Sequence, residues 1–167
     1  PADIKKMGLN LFVDADHAGC LETSRSTSGW VAQLVGGRTS AVIDWGSRRQ
    51  AATARSTAEA EVVAGAEGIQ STLPVYAVFC HAVKAELAFH LYTDSEAARV
   101  TFQEGYSRKL RHMRKNQRVC VGFVGDAVKR VNGKVLRVKS ADNVADLFTK
   151  PIPRAAFCKH RLQLRMY

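Results

Sequence analysis

A chain of 167 residues, 46% of them hydrophobic, fits one domain of ordinary size that can bury a real core. Lysine and arginine number 25 against 15 aspartate and glutamate, a net charge of +10, which favours a polyanionic partner such as nucleic acid. No apolar run approaches the ~20 residues needed to span a bilayer, and the basic residues form no amphipathic helix with an apolar belt, so the reading includes no membrane partner. Leu9–Asp16 then reads as an extended, apolar first strand that ends in acid. Ser28–Val35 is a second strand and Thr39–Trp45 a third, and Gly36-Gly37 between them predicts a tight antiparallel hairpin with positive φ angles. Ser56-Thr57-Ala58-Glu59 has the S-x-x-E pattern of a capping box, and Ala58, Val62, Ala66 and Ile69 recur at helical spacing, which predicts a helix over about 57–72. Residues 74–85 predict a second helix or an extension of the first. Ala88–Thr93 is a fourth strand, followed by helical Ser95–Val100, a helix over about 113–129, a fifth strand Lys134–Val138, and a last helix Asp142–Thr149 stopped by Pro151. This order describes an α/β domain, a mixed sheet with helices packed on it, over 1–153. Residues 154–167 read as a basic C-terminal tail, open to partial disorder.

Cys20, Cys80, Cys120 and Cys158 are scattered, with no C-x-x-C pair and no histidine in zinc spacing, so they read as reduced thiols of an intracellular protein. Residues 1–12 carry no signal-peptide pattern, and the Pro1-Ala2-Asp3 start is expected to be a cut made inside a longer chain.

Four acids stand where elements begin or end beside apolar runs: Asp14, Glu61, Asp94 and Asp146, separated by 47, 33 and 52 residues, so only folding can gather them. An oxygen-only ligand set suits hard cations such as Mg²⁺ or Mn²⁺, and clustered carboxylates repel one another unless a cation neutralises them. Each acid also has an ordinary reading. Glu61 fits a surface residue favoured by a helix N-terminus, Asp94 fits an N-cap, and Asp146 fits a solvated helix face.

The surroundings of these acids resemble the ribonuclease H domain of copia-type retrotransposon polyproteins. Val13-Asp14-Ala15-Asp16-His17-Ala18-Gly19 is similar to the family's S-D-A-D-W-A-G, and Ser24-Arg25-Ser26-Thr27-Ser28-Gly29-Trp30 to its R-K-S-T-S-G-Y. Ile43-Asp44-Trp45-Gly46-Ser47-Arg48-Arg49-Gln50 resembles I-S-W-S-S-K-K-Q, and Ala54-Arg55-Ser56-Thr57-Ala58-Glu59-Ala60-Glu61-Val62-Val63-Ala64 resembles L-S-S-T-E-A-E-Y-I-A. Ala145-Asp146-Leu147-Phe148-Thr149-Lys150-Pro151-Ile152-Pro153 is close to A-D-I-L-T-K-P-L-P. The resemblance implies a ribonuclease H-like fold: a five-stranded mixed sheet, three antiparallel strands then two parallel ones, flanked by helices. It implies that Asp14, Glu61, Asp94 and Asp146 are the catalytic set, holding two Mg²⁺ ions, or Mn²⁺, for hydrolysis of the RNA strand of RNA–DNA hybrids. The reverse transcriptase domain of the same polyprotein is the implied partner, and a cytoplasmic retroelement particle the implied location. The loop before Asp146 lacks the histidine of many ribonucleases H, as copia-type relatives usually do.

Ser26, Thr27, Ser28 and Ser56 are candidate polar contacts to nucleic acid, with turn and cap roles as the alternative. Arg108, Lys109, Arg111, Arg114, Lys115 and Arg118 place six basic residues in the twelve of 107–118, a candidate phosphate-binding strip that Arg48 and Arg49 extend. Asp16 reads as structural, and His112 carries no assigned role. Two rivals remain open: a hybrid-binding module without strong turnover, and a ribonuclease H-fold nuclease acting on DNA.

Overall fold

β1 (Gly8–Asp16) is the strand on which the rest is assembled, and its alternation sets both faces of the sheet. Leu9, Leu11 and Val13 enter one core while Phe12 enters the other, as the period of two requires. The computed structural model describes residues 6–37 and 39–166, so the Pro1–Asp3 start lies outside the described residues. β1 pairs antiparallel with β2 (Thr27–Val35), which pairs antiparallel with β3 (Ser40–Arg49). On its other side β1 runs parallel to β4 (Ala88–Thr93), and β4 parallel to β5 (Lys134–Arg137), giving the order β3-β2-β1-β4-β5. The expected five-stranded mixed sheet is therefore present. Residues 36–39 join β2 to β3, closed by the Gly36 N–H donating to the Thr39 carbonyl at 2.8 Å. Among the described glycines only Gly105 has a positive φ, so the positive angles expected at Gly36-Gly37 are not used.

α1 (Thr57–Val83) covers one face as a single helix, so residues 74–83 extend it and no second helix forms. Pro74 lies inside it; without an N–H, it leaves the carbonyl four residues earlier, at Gln70, unpaired within the helix. Val62, Val63, Ala66 and Ile69 pack on Leu9, Leu11 and Val13, joined by Phe102 of α2 (Glu96–Glu104). The helix expected over 113–129 is two pieces, α3 (Met113–Asn116) and α4 (Val121–Arg130), separated where Arg118 takes a left-handed φ of 56°. Met113 anchors the first piece in the core, and Val124, Ala127 and Val128 anchor the second.

The opposite face carries the segment expected as a last helix over Asp142–Thr149. It forms two 3-10 turns, Ser140–Asp142 and Val144–Phe148, with Asn143 extended between them. The reason is the Asn143 amide: its oxygen accepts from the Ala145 N–H at 3.3 Å, and its nitrogen donates to the Val13 carbonyl at 3.0 Å. Such side-chain bonding competes with continuous helix. The presumed tail is also structured, since Arg154–Gln163 form α5, with Leu164 buried against Val31 and Val144.

Gly29 lets this second layer touch the sheet. A Cβ there would stand 2.6 Å from Thr149 Cγ2 and 3.0 Å from Phe148 Cβ, closer than carbon atoms pack. Gly29 also sits opposite Asp14 in the β1–β2 register. Gly29→Val is expected to push the 144–149 segment off the sheet and cost about 1–3 kcal/mol of stability, as overpacking does. Thermal unfolding and amide exchange over 144–149 check this; unchanged protection of that segment would refute it.

Candidate active site

Asp14 lies two residues before the end of the central strand and is 2% exposed, Glu61 lies in the second turn of α1 and is 3% exposed, and Asp94 directly follows β4. One carboxylate oxygen of each lies within 4.8 Å of the others. Glu61 is thus no surface residue, and Asp94 is no cap: Ser95 caps α2 by accepting from the Ala98 N–H at 3.2 Å, leaving the Asp94 carboxylate to the cluster. Asp146 stands beside the three but outside their mutual contact, joined to Asp14 through Lys150. The Lys150 ammonium lies 3.1 Å from Asp146 Oδ1 and 3.6 Å from Asp14 Oδ2. Thr149 Oγ1 donates a short hydrogen bond to Asp14 Oδ2. Thr149, Lys150 and Asn143 were not singled out from the sequence, although the first two stand inside the block that carries Asp146. Reading that block for its acid alone concealed them.

Burial is the largest influence on both inner acids. It lifts Asp14 to about 6, with Asp146 and Asp94 adding to the rise and Thr149 and Lys150 opposing it. It lifts Glu61 to about 9, reinforced by the charges of Asp14 and Asp94. Glu61 Oε2 is buried with no hydrogen-bond partner, and Asp146 Oδ1 is buried with the Lys150 ammonium 3.1 Å away as its compensation. Orphaned buried oxygens on converging carboxylates are what a hard cation would satisfy, and an all-oxygen donor set fits Mg²⁺ or Mn²⁺.

Glu59, read as half of a capping box, has a larger part. Ser56 caps α1 by accepting from the Glu59 N–H at 3.2 Å, but the Glu59 carboxylate accepts from the Arg55 N–H at 3.0 Å, one residue before the cap. The same buried carboxylate pairs with His112 Nε2 at 2.8 Å and accepts from Gln117 Nε2 at 3.0 Å. Burial pushes Glu59 up, yet these bonds outweigh it and hold the carboxyl below the usual range. His112 therefore fastens the 107–118 segment to the start of α1. Leu110 and Met113 are buried beneath that segment while Arg108, Lys109, Arg111, Arg114, Lys115 and Arg118 stay exposed. Arg48 and Arg49 are exposed at the end of β3, opposite Ser28 and Thr27. Ser26 and Ser28 are fully buried, Ser26 accepting from the Ala18 N–H at 3.2 Å and Ser28 from Gln50 Nε2 at 2.9 Å, so neither hydroxyl meets a ligand at the surface. Thr27 is half-buried and Ser56 exposed. Asp16 is half-buried, outside the three-carboxylate cluster.

This sheet and its helices have the ribonuclease H fold. Ribonuclease H1 from the halophilic archaeon Halobacterium salinarum NRC-1 superposes with a TM-score of 0.55 at 15% identity, covering 84% of this chain and 93% of that one. LC11-RNase H1 in complex with an RNA/DNA hybrid gives 0.57 at 12% identity over 84% and 93%. In sequence, the chain is similar to a segment of a copia-type polyprotein, the retrovirus-related Pol polyprotein from transposon TNT 1-94 of Nicotiana tabacum, with 29% identity over 159 residues. That similarity covers 90% of this chain and 11% of the polyprotein. No protein-family model matches the chain.

Acids whose folded values are raised bind protons more tightly when folded, so their contribution to stability is present at low pH and lost as pH rises toward those values. With chelator present, stability is expected to fall from about pH 4 to about pH 9, steepest below about pH 6 where both acids contribute, because the unfolded chain releases these protons while folded Asp14 and Glu61 retain them. Glu59 acts with the opposite sign, and only in acid. Glu61→Gln should flatten the decline, and saturating Mg²⁺ should abolish it. Urea unfolding across pH checks this; an equal slope in wild type and Glu61→Gln would rule out Glu61 as the source.

Proposed function

We propose that this chain is an endoribonuclease domain that cleaves the RNA strand of RNA–DNA hybrids, using two divalent metal ions, within a copia-type retroelement polyprotein. The observation that carries this reading is the meeting of Asp14, Glu61 and Asp94 from three elements, with Glu61 Oε2 buried and unpartnered. Asp14, Glu61 and Asp94 would hold one ion, and Asp14 with Asp146 the other. Bound there, such ions activate a water and stabilise the departing 3′ oxygen, giving 5′-phosphate and 3′-hydroxyl ends. The fold supports the substrate class, since LC11-RNase H1 has this fold and is captured with an RNA/DNA hybrid. Thr149 and Asn143 hold Asp14 and the Asp146 segment in place, which is the positioning that phosphoryl transfer chiefly demands.

The exposed cations of 107–118, with Arg48 and Arg49, would lie along the hybrid backbone, and Thr27 and Ser56 would add polar contacts. Their phosphate contacts would position the duplex without reading its sequence. The similarity to a Pol polyprotein supports a reverse transcriptase domain as neighbour, working in a cytoplasmic retroelement particle. None of the described helices is long and apolar enough to cross a membrane.

The test is a labelled RNA–DNA hybrid with Mg²⁺ or Mn²⁺, beside duplex DNA. Cutting confined to the hybrid's RNA strand, reduced about a hundredfold or more by Asp94→Asn or Glu61→Gln, is the expected result. Tight binding with no cutting under either metal would leave a binding module, and cutting of duplex DNA a DNA nuclease. The pair Arg114→Ala and Lys115→Ala should weaken hybrid binding and flatten its salt dependence by ~2 counterions, read by titration at several salt concentrations.

A further inference from the structure

The carboxylate cluster has two unequal halves. Among the described residues neither Glu61 nor Asp94 takes part in an ion pair, whereas the Asp14–Asp146 half already holds the Lys150 ammonium, 3.6 Å and 3.1 Å from the two acids. Asp146 Oδ1 has no hydrogen-bond partner, so its nearest compensation is the charge of Lys150. The Lys150 side chain is 38% exposed while that of Asp14 is 2% exposed, so the cation reaches inward from the rim on a flexible stem. Its backbone is fixed independently of the ammonium: Thr149 is bonded to Asp14, Asn143 to the Val13 carbonyl, and Lys159 of α5 to Asp142 Oδ1 at 2.6 Å. The ammonium can therefore leave without loosening the segment that carries Asp146.

We propose that Lys150 is the resident counter-ion of the Asp14–Asp146 half, so that a divalent ion enters there only by displacing the ammonium, while the Asp14–Glu61–Asp94 half loads first. The inference rests on the metal-binding reading above and specifies which half binds weakly and why. Before metal arrives, the ammonium offsets the repulsion between two carboxylates. Once a divalent ion approaches, the same charge opposes it, because unit charges a few ångströms apart interact strongly where water is partly excluded. A lysine suits an exchange of this kind, having a compact charge on a four-carbon stem, where the planar fork of arginine would grip a carboxylate at two points. An arriving phosphodiester brings negative charge that draws the ammonium outward, so filling of the second half is coupled to substrate.

The experiment measures Mn²⁺ binding by calorimetry and by electron paramagnetic resonance on the whole chain without nucleic acid, in wild type, Lys150→Met and Lys150→Gln. Thermal unfolding in chelator is recorded in parallel. Wild type should bind one ion tightly and a second weakly. Both variants should tighten the second ion about tenfold or more and tighten the first, which shares Asp14, by clearly less. Lys150→Met should also melt earlier than wild type in chelator and regain that loss when Mn²⁺ is added. Should Lys150→Met fail to fold without metal, Lys150→Gln, which retains a donor but no charge, must show the same tightening. A second ion bound no more tightly in the variants than in wild type overturns the assignment of Lys150 while leaving the metal site intact. A wild-type chain that binds no Mn²⁺ overturns both.

Discussion

Asp14 is a carboxylate forced into a nearly dry position near the end of the central strand, and the elements around it are arranged to make that position tenable. Burial and two neighbouring acids push its protonation upward, while Thr149 and Lys150 pull it back. Both stabilising groups come from the far end of the chain, which reaches Asp14 only because Gly29 on the adjacent strand offers no side chain to block it. A buried charge without partners would cost several kcal/mol, so the 140–150 segment is bound to the sheet for electrostatic as well as apolar reasons. Phe12, Val31, Val144 and Leu164 supply the apolar part.

The start of α1 organises a second set of groups. Glu59 and Glu61 are two residues apart and so project from different sides of the helix, one toward the 107–118 segment and the other toward the carboxylate cluster. Glu59 is compensated by three hydrogen bonds, which hold its carboxyl below the usual range; Glu61 keeps an unpartnered oxygen, and burial pushes its carboxyl up to about 9. Two buried glutamates in one helical turn thus shift in opposite directions because their partners differ. The compensated one fastens the basic surface, and the uncompensated one is left for a cation.

Much of this was legible in the sequence, for physical reasons that can be named. Apolar alternation gave the strands, and Asp14, Glu61, Asp94 and Asp146 stood out beside apolar runs, although each also had an ordinary reading and it was the resemblance of their surroundings that implied a shared site. What escaped depends on partners far along the chain. The break at Arg118 has no proline to announce it, only a helix whose two ends are anchored separately by Met113 and by Val124. Asn143 turns an expected helix into 3-10 turns because it finds the Val13 carbonyl, 130 residues away. Ser26 reads as a polar contact to nucleic acid from its place near the acids, but it is fully buried, its hydroxyl taken by the Ala18 N–H and its carbonyl by the Gln50 N–H. α5 was hidden by its charge, since its apolar contacts are few and lie at Leu164, just past its end.

The overall charge and the site's charge have opposite signs, and their separation bears on how such a domain would meet a polyanion. A net charge of +10, with Arg108 to Arg118 exposed on one segment, attracts phosphate over distances up to about a Debye length. The carboxylate cluster repels the same phosphate at short range. The two tendencies are reconciled only if cations stand between the acids and the backbone of the nucleic acid. Lys150 already does this for Asp14 and Asp146, while burial raises the proton affinity of Glu61. In the metal-free site one ammonium offsets part of the charge that Asp14 and Asp146 share, and Asp94 has no ion-pair partner among the described residues, so the cluster keeps an excess of negative charge that divalent cations would neutralise.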